Sequence, residues 1–544
     1  FPYYLARRDA EDPDYIYLIP QSEESIWSVS TGWDKNRKVY MEFGIDYNRT
    51  FGLHKTTALI LYNQSKYYSP SLQYYVPNAY QGLVGRLTYE YASRYLAEFN
   101  MGYNGTENFA KGKRFGFFPA VSLGWVISEE KFFPKNNIVK YLKVRGSYGE
   151  VGNDQIGGDR FLYLPSSYGA ASDSGVNKYN FGLASNPYTS LMIVENKIGN
   201  PDLTWEKAKK MNVGVDINLF NNCLTASFDI FKEKRNNILA NRSTSPMIIG
   251  ANLPAYNFGE MENRGWEMDL NFRHHIQDFH YWARFNYSFA RNEIIYMDEV
   301  QKRYDYQMTT GRRKNQFFGL IFDGYYNSWE EINALDRPKS SWSGNQLQPG
   351  DVKYIDVNQD GVIDDYDMVP IGYTPVPEII YGFSFGAQYK GFDFSILFQG
   401  ADNVSIKYFG RSMWPFAKGE ESAKSLIKER WTQERYEAGE KITFPRLSLN
   451  PNGETDHNYR PSTLWIRDAS YLRLKNLEVG YTFTGGFVKR LNLNSVRLYF
   501  NGSNLFTWTD VVDLDPEAPS RSGNVEINTY PLQKVYNIGL NINF

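Results

Sequence analysis

The sequence predicts an all-β chain folded as a transmembrane antiparallel β-barrel, and three observations predict it. Segments of about ten residues alternate between an apolar row and a small or polar row, the pattern of a strand with lipid on one side and water on the other. No run of about 18 apolar residues exists, so spanning helices are excluded. Tight turns and long loops alternate along the chain, as they do when every second connection lies on the same side of a membrane.

The alternation is clearest at the chain end. Tyr536, Ile538, Leu540, Ile542 and Phe544 fall on one face, with Asn537, Gly539, Asn541 and Asn543 on the other. Ending on an aromatic strand residue resembles the signal by which bacterial outer-membrane barrels are recognised for insertion, so these five residues form a candidate membrane-assembly signal. Met41, Phe43, Ile45 and Tyr47 obey the same rule, as do Met211, Val213, Val215, Ile217 and Leu219. Trp266 to Phe272, Tyr281 to Phe289 and Tyr381 to Tyr389 repeat it. The polar rows, with Glu42, Asp46, Asp216, Asp229, Asp269 and Arg284, predict a hydrated lumen wall.

Tight connections are predicted at Asn221-Asn222, between His274 and His280, at Lys390-Gly391 and around Gly485-Gly486, and long ones over 153–205, 295–374, 400–468 and 509–530. Counting back from a periplasmic Phe544 puts every long loop outside the cell and gives about fifteen or sixteen strands. Residues 421–439 place Ala423, Leu426, Ile427 and Trp431 at helical spacing, which predicts one short helix inside a loop.

Composition narrows the function. Aromatics are 17 % of the 544 residues, with 43 Tyr and 36 Phe, an excess that suits interfacial girdles. A net charge of −2 advertises no nucleic acid, and Cys223 alone cannot form an internal disulfide. Five histidines show no zinc spacing and assemble no catalytic triad, so the chain is expected not to be an enzyme. The first twenty residues lack a secretory signal, from which a mature chain or a fragment is expected.

One motif carries metal chemistry. In DVNQDGVIDDYD, residues 356–367, Asp356, Asn358 and Asp360 take positions one, three and five of a calcium loop, Gly361 makes the turn, Val362 offers its carbonyl, and Asp364 and Asp367 follow at nine and twelve. Asp367 replaces the usual Glu, a shorter arm that either admits magnesium in place of calcium or weakens the site. An acidic, solvated turn is the alternative reading. Tyr325, Tyr326, Trp329, Trp342 and Trp414 lie outside the strands and are candidate substrate-binding residues that stack on cargo, with loop packing as the alternative.

Several blocks resemble one family, the SusC-like TonB-dependent transporters (SusC/RagA type) of the Bacteroidetes outer membrane. They include RFGFFPAVSLGWVISEEKFF at 114–133, LKVRGSYGEVGNDQIG at 142–157, GEMENRGWEMDL at 259–270, GDVKYIDVNQDGVIDD at 350–365 and LWIRDASYLRLKNLEVGYTF at 464–483. The resemblance implies that residues 1–544 are the carboxy-terminal fifteen or sixteen strands of a 22-stranded barrel, the plug and amino-terminal strands being absent from this chain. It implies a TonB-dependent nutrient importer with a SusD-like surface lipoprotein as lid, TonB acting through a plug-bearing part, and pairing into a dimer of complexes. The amino-terminal part of the same barrel and outer-membrane lipid are further expected partners. Oligosaccharide is the expected cargo and peptide the alternative within the class. A passive porin or adhesive surface barrel is the competing function.

Overall fold

The computed structural model describes residues 4–8, 16–20, 35–72, 75–155, 160–165, 169–170, 178–182, 188–191, 193–194, 198–244, 253–342, 347–408, 414–415, 425–448, 457–512, 514–517 and 532–544. The chain divides into two compact units, Phe1–Met41 with Gln64–Tyr80, and Glu42–Asn63 with Gln81–Phe544. The first holds an antiparallel hairpin, Tyr4–Arg8 on Ile16–Pro20, in the register Tyr4 to Pro20 and Arg8 to Ile16.

The second unit is organised by one antiparallel sheet in which fifteen strands follow one another in chain order. They are β1 (Arg37–Phe51), β2 (His54–Tyr68), β3 (Asn78–Tyr91), β4 (Tyr95–Thr106), β5 (Phe115–Val126), β6 (Val139–Asn153), β7 (Glu206–Leu219) and β8 (Leu224–Ala240). Then come β9 (Tyr256–Ile276), β10 (Phe279–Tyr296), β11 (Ile379–Tyr389), β12 (Phe392–Asp402), β13 (Tyr471–Phe483), β14 (Ser495–Thr509) and β15 (Val535–Asn543). Residues 37–41, 64–68 and 78–80 of the first three strands belong to the first unit. Strands of 9 to 21 residues match or exceed what a tilted crossing of hydrocarbon requires, and the longest run on past it.

Successive connections alternate between the two ends of the strands, and one set is short except at 127–138 and 484–494. Within the second unit, the strands beside 92–94, 127–138, 220–223, 277–278, 390–391 and 484–494 are joined at one end, and those beside 107–114, 154–205, 241–255, 297–378, 403–470 and 510–534 at the other. Left-handed backbone makes the tightest turns: Phe220, Asn221 and Asn222 all have φ between 51° and 67°, and Lys390 and Gly391 stand at 45° and 93°.

Exposure is inverted relative to a soluble sheet. Met211, Val213, Ile230, Phe383 and Phe385 are exposed, while Gly214, Gly382 and Gly386, on the opposite face, are buried. The apolar face is knitted by cross-strand aromatic pairs: Trp266 on Tyr287 at 4.7 Å, Phe383 on Phe398 at 4.6 Å and Phe392 against Tyr481 at 4.7 Å.

On the polar face two arginines reach over a glycine to a carboxylate one strand further on. Arg145 of β6 crosses Gly214 of β7 to bind Asp229 of β8 through Nη1 at 2.6 Å and Nη2 at 2.7 Å, with Asp216 at 3.1 Å from its Nε. Arg497 of β14 crosses Gly480 of β13 to Asp393 of β12 and donates to Glu478 at 2.6 Å. A Cβ at Gly214 would sit 2.6 Å from both the Arg145 Nη1 and Asp229 Oδ1 atoms, so the absent side chain is what admits the guanidinium. Gly146 meets nothing nearer than a carbonyl oxygen at 3.8 Å.

Gly214→Val is therefore expected to cost about 1–3 kcal/mol by forcing the Arg145–Asp229 pair apart. Gly146→Val stays within about 0.5 kcal/mol of the parent. Equilibrium unfolding of the full-length protein in lipid checks both, and equal behaviour of the two variants would discard the bridging role of Gly214.

Candidate functional site

Among the described residues, three of the long-side loops fold together. Residues 297–378, 403–470 and 510–517 share one apolar core built on Leu320, Val352, Ile406, Phe444, Tyr459 and Trp465, with Val511 from the third loop. Short ladders tie the segments: Phe322–Tyr325 with Val352–Tyr354, Ser405–Lys407 with Ile466–Asp468, and a parallel bridge from Leu320 to Ser462.

Asp351 is the polar centre of this core. Its carboxylate, almost wholly buried, accepts from the Gln348 amide at 2.8 Å and the Asn458 side-chain amide at 2.8 Å, and Nε of Arg446 stands 2.6 Å away. The neighbouring groups continue the stitch between loops. The Val352 amide donates to Asn458 Oδ1 at 2.9 Å, His457 Nε2 donates to the Val352 carbonyl at 2.8 Å, and the Tyr354 hydroxyl donates to the His457 carbonyl at 2.7 Å. Gly350, at φ +92°, lets Trp431 and Arg446 close over the backbone, since a Cβ there would stand 2.5 Å from the indole. The third loop is anchored by Arg473, whose buried guanidinium holds Asp515 at 2.7 Å and Glu517 at 2.5 Å.

This core settles where the predicted aromatics lie. Tyr325, Tyr326 and Trp414, expected as exposed stacking residues, are buried, and packing has used their faces. Tyr325 lies edge-on to Phe322 at 5.2 Å, Trp414 tilts against Tyr459 at 5.1 Å, and Tyr326 carries Arg337 over its ring at 5.6 Å. Burial pushes the Tyr325 phenol well above its ordinary range. Trp342 packs partly buried against the core with the Arg460 guanidinium 4.0 Å above its ring. Trp329 remains exposed, at the start of α1 (Trp329–Asn333), where Ser328 caps the Glu331 amide.

The helix expected over 421–439 is broken. Residues 421–424 lie outside the described residues; a 3₁₀ turn covers Ser425–Glu429 and α2 covers Gln433–Glu437. Trp431 between them is drawn into the core and donates its backbone amide to the Phe444 carbonyl at 2.8 Å, and Thr432 caps a fresh start by accepting from the Arg435 amide at 3.3 Å.

In the acidic loop, Gln359 and Gly361 supply the left-handed turn at φ +59° and +82°. Asp356 accepts from the Gln359 and Gly361 amides at 2.7 and 2.8 Å, Asn358 from Asp360 at 3.0 Å, and Asp360 from Val362 at 2.9 Å. Asp364 caps the Tyr366 amide, and Asp367 takes the Val357 and Asp364 amides at 2.8 and 2.9 Å. Among the described residues no three His, Cys, Asp or Glu side chains converge as a ready metal cluster. Asp367 is nevertheless fully buried and has no ion pair among the described residues. Burial holds its carboxyl above the usual carboxylate range, Asp356 adds to this, and the backbone amides oppose it. From outside, Tyr306 donates to the Tyr366 carbonyl at 2.7 Å and Arg303 lies 4.9 Å over the Tyr366 ring, so the 303–307 turn buttresses this loop.

At the chain end Tyr536, Ile538, Leu540 and Ile542 are exposed along β15, Phe544 is exposed just beyond it, and the Asn494 side-chain amide donates to the last carbonyl at 2.5 Å. Sequence reasoning missed the Asp351 centre, the Arg473 anchor and a buried Glu378 held by Arg291 and Arg313. Their partners are 42 to 107 positions apart, and no local spacing announces such a pairing.

An inside-out antiparallel meander with short turns on one side and a structured loop cluster on the other defines a large outer-membrane β-barrel of the receptor type. This chain belongs to the family described as TonB dependent receptor-like, beta-barrel, which it matches over residues 3–505. It is 28 % identical over 479 residues to TonB-dependent receptor P3 of Formosa agariphila, covering 85 % of this chain and 45 % of the relative. To TonB-dependent receptor SusC of Bacteroides thetaiotaomicron it is 28 % identical over 477 residues, covering 87 % and 44 %. The chain thus spans about half the length of the curated relatives it matches. The solved RagAB peptide transporter superposes at a TM-score of 0.70 and 22 % identity over 94 % of this chain and 56 % of that one, a likeness of fold.

Asp351→Ala is expected to leave the buried Asn458 and the half-buried Arg446 without their acceptor, destabilising the loop core by about 3 kcal/mol. Cleavage of 297–378 by a protease, with the strands still protected, is the expected readout; unchanged loop protection would show that Asp351 does not hold the loops together.

Proposed function

We propose that this chain forms the wall and outer loops of a TonB-dependent outer-membrane importer that works with a SusD-like surface lipoprotein. The observation that carries the reading is the combination, in one family member, of an inside-out sheet with a jointly folded loop cluster on one side only. A passive pore has no need of loops welded into one body, whereas a lid requires a firm surface to close on. In this reading the long loops are extracellular, the short turns and Phe544 are periplasmic, and the Tyr536 to Phe544 row is the assembly signal. Further strands of the same barrel complete the backbone pairing at β1 and β15, and a plug-bearing part transmits the work of TonB. Complexes pair as dimers.

The cargo in this reading is an oligosaccharide, with peptide second. RagAB is a peptide transporter, but its likeness at 22 % identity concerns the fold and leaves that order unchanged. Trp329 is the predicted aromatic that stays exposed for a ligand, while Trp342 is half-buried under Arg460. Deleting the gene is expected to abolish growth on a particular oligosaccharide as sole carbon source, with restoration by the full-length gene in a strain that retains TonB and not in one lacking it. Uptake that persists in a TonB-deficient strain would transfer the chain to the passive-porin reading.

The acidic loop is proposed to hold calcium, or magnesium, through Asp356, Asn358, Asp360, the Val362 carbonyl, Asp364 and Asp367. Backbone amides take lone pairs on Asp356, Asp360, Asp364 and Asp367 and leave others for a cation, and the buried Asp367 carboxyl favours one. Binding draws the side chains together and orders the loop. Because the folded loop binds a proton at Asp367 more readily than the unfolded chain does, its stability in chelator is expected to be greatest in acid and to fall as pH rises through the Asp367 pKa. Calcium should remove that decline and slow cleavage within 350–370 by roughly tenfold at saturating ion. An Asp360→Ala variant that responds to calcium like the parent would exclude the site.

A further inference from the structure

Above the membrane-crossing part of the sheet, on its polar face, the ends of β8, β9 and β10 and the segments at 313–314 and 374–378 enclose a recess of 310 Å³. Its floor is Glu378, whose side chain is 4 % exposed and receives both Nε and Nη2 of Arg291, at 3.0 and 2.8 Å, together with Nε of Arg313. Burial works against the charge on Glu378, but the Arg291 bonds and the Arg313 charge outweigh it and hold this carboxyl below its ordinary range. The floor is therefore an ionised carboxylate shared by two guanidiniums, with Arg313 further fixed by Gln316 at 3.2 Å.

Beside it stands Lys314. Its backbone amide is locked on Asn292 Oδ1 at 2.7 Å, while its ammonium has no ion pair or hydrogen bond among the described residues. Across the recess Arg235 is held by Glu233 at 2.8 Å and Glu206 at 3.2 Å. Lys232 and Glu262 pair in the row of Ile230 and Trp266 on the other face; on this face Lys210, Arg235, Arg313 and Lys314, with Arg291 bound to the floor, make five cations against the three carboxylates Glu206, Glu233 and Glu378. This excess departs from the acid-rich polar rows lower on the sheet, where Asp216 and Asp229 outnumber Arg145. A concave site with a rigid guanidinium and a free ammonium side by side suits a carboxylate group, the guanidinium supplying direction and the ammonium charge.

We propose that this recess is a subsite for a carboxylate-bearing part of the cargo, with Lys314 and Arg313 as its direct ligands and Glu378 as the positioning residue that orients Arg313. The inference rests on the import reading above and adds to it that the cargo is anionic. A uronic acid of an oligosaccharide and the carboxylate of a peptide share the chemistry, and two probes separate them.

The test is calorimetric titration of the full-length protein in detergent with trigalacturonate and with triglutamate, using maltotriose and trialanine amide as neutral controls. One anionic probe is expected to bind, with an affinity that falls as salt is raised and drops about tenfold in Lys314→Gln, a surface change that leaves the fold intact. Arg313→Lys, which keeps the charge and loses the planar fork, should weaken it too, and the probe that responds identifies the source. Absence of binding by both anionic probes, equal binding of the neutral controls, or an affinity indifferent to Lys314→Gln would overturn the proposal. Gene-deletion growth, scored separately, reports on import itself, so a failed titration beside TonB-dependent growth removes the subsite and keeps the importer.

Discussion

Every backbone N–H and C=O in hydrocarbon must find its partner within the protein, and the rest of this structure follows from that constraint. A strand there can be satisfied only by neighbours on both sides, which produces the uninterrupted chain-order meander of fifteen strands. Two faces follow from the same geometry. Side chains alternate, so the lipid side takes Met211, Val213, Phe383 and Phe385, and close-fitting polar groups occupy the other.

The polar face then has its own problem, which is to neutralise charges at fixed 4.8 Å strand spacing. Arg145 and Arg497 solve it in the same way, each passing over a glycine to reach a carboxylate two strands away. The glycine is the necessary partner in these clusters. With any larger residue at 214 or 480 the guanidinium would be held off its acceptor, and an unmatched cation would remain on the wall.

Outside the sheet the backbone is free of that constraint, and a different economy rules. Loops as long as 297–378 and 403–470 would be costly to order separately, and they are ordered together by a common core and by Asp351, Asn458 and His457 bridging between them. Tyr325, Tyr326 and Trp414, which invited a stacking role, are consumed in this core, and Trp329 stays exposed. Beside it the loops and upper strands offer polar groups: the recess around Glu378 and Lys314, and the acid-lined turn of 356–367 backed by Tyr306 and Arg303.

The strands around 41–47, 211–219, 266–289, 381–398 and 536–544 and the turns at Asn221-Asn222 and Lys390-Gly391 were legible in the sequence, because each is decided by residues two to ten positions apart; the tight turn expected around Gly485-Gly486 is instead a connection of 484–494 with a short helix. The residue types of the acidic loop were legible too. The buried state of Tyr325, Tyr326 and Trp414 was not, nor the interruption of the 421–439 helix at Trp431, nor the meeting of Arg473 with Glu517 or of Arg313 with Glu378. By itself, then, the sequence determined an outer-membrane sheet and its orientation toward lipid, since period-two hydrophobicity is a local property that survives any arrangement of the loops. Only the tertiary structure decided which loop side chains face a core and which face a ligand, because burial there depends on contacts between segments a hundred residues apart in the chain, whose energies no local pattern records.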